Sequence, residues 1–171
     1  MTLTSHTVGD FGLVAMSGGI GLLVRIAQWL NGNGFINYQH AFLYVGEGRV
    51  IQAKPGGAVM SSVDTFTHVY WSTGTITLTQ TQRALVAATA QKYVGTPYSF
   101  LDYLALAAHR LHLPGSRLLK HHVASSKRMI CSQLVDQIHF DIGSHLFNDG
   151  RWPGYVDPLD LWHLISSEGK K

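Results

Sequence analysis

The chain has 171 residues, of which 46% are hydrophobic and only 13% charged, with a formal charge of +3 and a single cysteine. That length supports one domain with a substantial core, and residues 1–171 read as a single unit. One cysteine excludes an internal disulfide and a cysteine-built zinc site. The basic residues are scattered, and their densest stretch, Arg117 to Arg128, lacks interleaved aromatics, so no nucleic-acid partner is expected.

In chain order, the first ten residues show no basic start followed by an apolar run. No signal peptide is read, and the chain is expected to be made in the cytoplasm, with export or association with a particle as further possibilities. Phe11 to Met16 reads as a strand. Ile20, Leu23, Val24, Ala27 and Leu30 then share one helix face. This apolar stretch, Gly18 to Leu30, contains Arg25 and Gln28 and is too short to span a bilayer, so no transmembrane segment is expected. Asn31-Gly32-Asn33-Gly34 closes it in a turn.

His40 to Val45 and Arg49 to Ala53 alternate around Gly46-Glu47-Gly48, the pattern of a hairpin. A three-residue loop with Gly48 left-handed sets Val45 opposite Arg49, Phe42 opposite Gln52 and His40 opposite Lys54. Gln52 then shares a face with His40, on the diagonal. A two-residue loop would turn Gln52 to the other face. Ala58 to Ser62, His68 to Ser72 and Thr75 to Leu78 read as further strands.

Helices dominate the second half. Thr79 and Gln82 form a capping box before Leu85, Val86, Thr89 and Tyr93 at helical spacing, and Gly95 and Pro97 end that helix. Ser99 and Asp102 open another, with Leu101, Leu104, Ala105, Ala108 and Leu111 inward. Residues 115–128 are basic and fit a short helix and loop that could serve as a lid. Leu134, Val135 and Ile138 place Cys131 in the first turn of a helix that stops at Gly143. Asp157 caps a terminal turn with Pro158 at its first position. Strands early and helices late argue for an α+β fold with an antiparallel sheet.

A lone cysteine is by default a small buried hydrophobe. At a helix N-terminus, however, the local field favours thiolate, the reactive form. Among ten histidines, His40 is best placed for a base, because it begins an apolar strand with a polar neighbour on the next one. The alternative is a hydrogen-bonded structural histidine. Gln52 is the candidate orienter, since its amide oxygen can accept the imidazole N–H; otherwise it is a strand glutamine facing solvent. His121-His122 do not suggest a metal site, because adjacent helix residues do not face one point.

Three strings carry a family resemblance: His40-Ala-Phe-Leu-Tyr-Val-Gly-Glu-Gly-Arg-Val-Ile-Gln52-Ala53, Gly95-Thr-Pro-Tyr-Ser-Phe100, and Ile130-Cys-Ser-Gln-Leu-Val135. With Gly9-Asp10 at the start and Val156-Asp-Pro-Leu-Asp-Leu161 near the end, the chain resembles the circularly permuted, YiiX-like branch of the NlpC-type papain-like cysteine peptidases. The resemblance implies a papain-like fold in which an antiparallel sheet packs on the cysteine helix. It implies Cys131 as nucleophile, His40 as general base and Gln52 at the third polar position, where the family commonly has glutamate. It also implies that Tyr98 lies near the cysteine, as an oxyanion donor or a pocket wall. The expected activity is a cysteine peptidase or amidase without metal or organic cofactor, with peptidoglycan stem peptides as substrate. Two alternatives stand beside it: a thioesterase or acyltransferase on lipid-like acyl groups, since the permuted branch is similar to lecithin:retinol acyltransferases, and a non-catalytic wall-binding or structural module of a phage or secretion particle.

Overall fold

The structure, a computed structural model, describes residues 6–16, 37–98 and 129–166. The helices expected at Ile20 to Leu30 and Ser99 to Leu111, and the segment 115–128, lie outside the described residues.

Five strands form one antiparallel sheet: β1 (Phe11–Val14), β2 (His40–Gly46), β3 (Arg49–Lys54), β4 (Gly57–Ser62) and β5 (Tyr70–Trp71), in the order β4-β3-β2-β1-β5. Among the described residues three α-helices follow: α1 (Gln80–Tyr93), α2 (Cys131–Asp141) and α3 (Pro158–Ile165). The fold class is therefore α+β. Strand alternation sorts the sheet residues onto two faces. Leu13, Ala41, Leu43, Ile51 and Ala53 pack with Leu134, Val135 and Ile138 of α2 and Val86 and Ala90 of α1. Val14, Phe42 and Val50 form a smaller cluster on the other face, covered by Phe66, Val69 and Trp71.

The β2–β3 hairpin departs from the expected loop in an informative way. Strand β2 runs on to Gly46, and only Glu47 and Gly48 form the loop, at φ 52° and 67°. Two positive φ values are the signature of a type I′ turn. Alone, that two-residue loop would have turned Gln52 to the other face. A register shift between Tyr44 and Gly46 compensates: Gly46 pairs with Arg49, yet Phe42 still pairs with Gln52. The bulge adds back the residue that the shorter loop removed, so Gln52 keeps the face of His40. Val45 does not pair with Arg49 as expected.

Two other expectations need correction. Thr75 to Leu78 is not a strand; Thr75 closes a turn onto Ser72 at 2.9 Å, and the chain then runs irregularly to the cap of α1. The strand expected over His68 to Ser72 shortens to Tyr70–Trp71, paired with Leu13 and Gly12. The helix boundaries follow their signals. Thr79 and Gln82 form the reciprocal capping box of α1, Gly95 is left-handed at φ 84°, and Asp157 caps α3 through Asp160. Leu85, at helical spacing with Val86, Thr89 and Tyr93, is 47% exposed, because α1 turns Val86, Thr89 and Ala90 to the core.

Candidate active site

Cys131 is the first residue of α2 and is 2% exposed. Its helix lacks a side-chain cap from Ile130, which has no polar atom. Gln133 substitutes: its Oε1 accepts from the Ile130 N–H at 3.0 Å and its Nε2 donates to the Gly154 carbonyl at 2.7 Å. Ser132 Oγ donates to the Val156 carbonyl at 2.8 Å. The helix start is thus braced on the segment before α3, while Leu134, Val135 and Ile138 anchor the rest on the sheet.

His40 opens β2 opposite Val14 and is 8% exposed. The neighbouring residue fixes this strand end: Gln39 N–H donates to the Val14 carbonyl at 3.1 Å, and its Oε1 accepts from Met16 N–H at 3.0 Å. His40 Nε2 lies 2.9 Å from Gln52 Oε1, and Gln52 Nε2 donates to Ser61 Oγ at 2.8 Å. With Nε2 engaged by Gln52, Nδ1 is the ring nitrogen left to face Cys131, whose sulfur lies near enough to act on the ring. Burial works to lower the His40 pKa. The hydrogen bond to Cys131 and the charge on that sulfur outweigh it, helped by Gln52, and the net result is a pKa above the ordinary histidine value.

Tyr98 reaches the same place by a separate route. Gly95 N–H donates to the Ala58 carbonyl and Ala58 N–H to the Thr96 carbonyl, each at 2.8 Å, so the Gly-Thr-Pro-Tyr string runs along β4. Tyr98 then bridges to Met129 in parallel, two residues before Cys131. Burial first, and then the negative charge of Cys131, push the Tyr98 phenol above its ordinary pKa, so it stays a neutral donor.

His40, Gln52 and Tyr98 line a cleft of about 330 Å³ whose remaining wall is largely apolar, including Val14, Met16 and Phe66. The four residues singled out from sequence are therefore brought together. Cys131, His40 and Gln52 form a sulfur–imidazole–amide chain, and Tyr98 stands beside the sulfur. Ser61 was missed. Its signal was the β4 alternation: Gln52 pairs with Val59, which puts Ser61 on the same face two residues along. Gln133 was missed because a glutamine inside a helix gives no sign that it caps a residue without a polar side chain.

This geometry can hold a thiolate beside an imidazolium, with the amide oxygen of Gln52 accepting the second ring N–H. No group of three His, Cys, Asp or Glu side chains among the described residues is placed to hold a metal ion. Nor is any helix among them long and apolar enough to cross a membrane. No family model, curated protein or solved structure matches the chain.

Proposed function

We propose that the chain is a cysteine hydrolase, a peptidase or amidase of permuted papain-like architecture, working through an acyl-enzyme. The observation that carries this reading is the His40 ring, held between Gln52 Oε1 at 2.9 Å and the Cys131 sulfur at the start of α2. The Cys131 thiolate attacks a carbonyl carbon and forms a C–S bond. The resulting oxyanion accepts from the Cys131 backbone N–H and the Tyr98 hydroxyl. His40 gives its Nδ1 proton to the departing amine as the C–N bond breaks. It then takes a proton from water, which attacks the thioester, releases the acid and restores the thiolate–imidazolium pair. Bacterial wall stem peptides are the proposed substrates, met by a protein made in the cytoplasm and then exported or carried on a particle. The apolar wall at Val14, Met16 and Phe66 favours a second reading, a thioesterase or acyltransferase on lipid-like acyl groups.

The test is the pH dependence of Cys131 alkylation by iodoacetamide. An imidazolium neighbour lowers the thiol pKa, so the wild type should already react fully below pH 7, whereas His40→Ala should titrate near the ordinary thiol value of about 8.5. A wild-type profile with that ordinary midpoint would remove the ion pair, leaving a binding module rather than an enzyme. With a reactive thiol, purified peptidoglycan and a panel of acyl esters separate the two enzymatic readings.

A further inference from the structure

Lys54 is the last residue of β3 and follows Gln52 by two, so both project from the face that carries His40. It lines the same cleft. Among the described residues of that lining, His40 is the only other group able to carry positive charge. The charge of a protonated His40 is balanced by the Cys131 thiolate. Lys54 has no such balance: no hydrogen bond or ion pair joins it to any described residue. Its cross-strand partner is Gly57, which offers no side chain. A side chain at Gly57 is also prevented, because φ is +118° and a Cβ would lie 3.0 Å from the Thr96 carbonyl oxygen. Among the described residues, the cleft therefore has a largely apolar wall, the base His40 and one ammonium without an ion-pair partner.

We infer that Lys54 forms a subsite for a single negative charge, and that the substrate is an acyl compound bearing a carboxylate close to the reacting carbonyl. This rests on the cysteine-hydrolase reading. A monoanion matches one cation; a phosphate dianion would leave a second charge uncompensated against the apolar wall. Lysine is a point charge on a flexible stem, so it selects for charge and reach more than for planar geometry.

Paired alkylating probes test this inference. Iodoacetate is compared with iodoacetamide, and the longer N-bromoacetylglycine with its amide, each as a ratio of rates at Cys131. The wild type should prefer at least one anionic probe over its neutral partner more strongly than free cysteine does. Lys54→Gln should reduce that ratio by about three- to tenfold, the effect of one charge across a few ångströms of partly wet protein. Lys54→Arg should restore it, and added salt should shrink the wild-type preference. An unchanged ratio for both probe pairs in Lys54→Gln overturns the inference while leaving the hydrolase reading standing. A Cys131 that reacts with every probe no faster than free cysteine overturns the hydrolase reading itself. Competition by acetate but not by inorganic phosphate is expected; stronger protection by phosphate would reject the carboxylate assignment.

Discussion

At the scale of the residue, the site turns on an amide where a carboxylate would be the stronger electrostatic partner. Gln52 Oε1 can accept the His40 N–H and fix the ring, but it brings no net charge to an imidazolium. Its own amide N–H₂ is engaged by Ser61, which keeps the side chain from swinging away. The His40 pKa is already raised, mostly by Cys131, so the amide is a secondary support. Gln52→Glu should raise the His40 pKa further, by about one unit or more, because an opposite charge at hydrogen-bond distance favours the protonated ring. Gln52→Leu removes the acceptor and should lower it. An NMR titration of the His40 ring Cε1–H reads both shifts. If neither variant moves the midpoint, Gln52 does not act on His40.

At the scale of the element, the hairpin shows what a sequence discloses and what it conceals. The alternation of His40 to Val45 and Arg49 to Ala53 made both strands legible, and with them the shared face of His40 and Gln52. The loop was misread, yet the register survived, because a bulge and a shorter turn shift the pairing by equal and opposite amounts. Nothing in the residue types marks where that extra residue is absorbed. Thr75 to Leu78 failed for another reason. Its alternation is real, and Ile76 and Leu78 do reach the core, but a strand also needs a partner, and local pattern cannot supply one. Cys131 at a helix start was readable from Leu134, Val135 and Ile138, whereas the Gln133 brace depends on Gly154, distant in sequence. The hairpin also carries a local cost that can be measured. Glu47 holds φ 52°, a conformation that asparagine and glycine tolerate better. Its ion pair with Arg49 is exposed and contributes little. Glu47→Asn should therefore stabilise the protein by up to about 1 kcal/mol, seen as a higher urea midpoint with an unchanged slope. A lower midpoint would show that the Glu47 contacts outweigh the relieved backbone.

At the scale of the whole molecule, two buried histidines tie stability to pH with opposite signs. His139, on α2, is fully buried between two carbonyl oxygens, Val135 O at 2.9 Å from Nδ1 and Gly9 O at 3.0 Å from Nε2. It joins the cysteine helix to the segment that enters β1. A neutral imidazole has one N–H and can donate to only one of the two carbonyls. Burial nevertheless dominates and holds the His139 pKa below the ordinary value; the two carbonyls and Asp10 act in the opposite direction, and Arg83 adds to the lowering. The folded state thus binds fewer protons at His139 than the unfolded chain does. Its contribution to stability is complete above the unfolded value of about 6.5 and is lost as pH falls toward the folded pKa. His40, with its raised pKa, contributes stability below about 6.5 that is lost as pH rises through its folded value. The sum conceals both terms, so each must be measured by difference. Urea midpoints at pH 7 and pH 5 should fall more in the wild type than in His139→Gln, which keeps an N–H donor and cannot protonate. Between pH 6 and pH 8 the comparison with His40→Gln should show the reverse slope. Equal acid losses in wild type and His139→Gln would mean that protonating His139 is not what loosens the cysteine helix from the sheet, and the acid sensitivity would then lie with other groups.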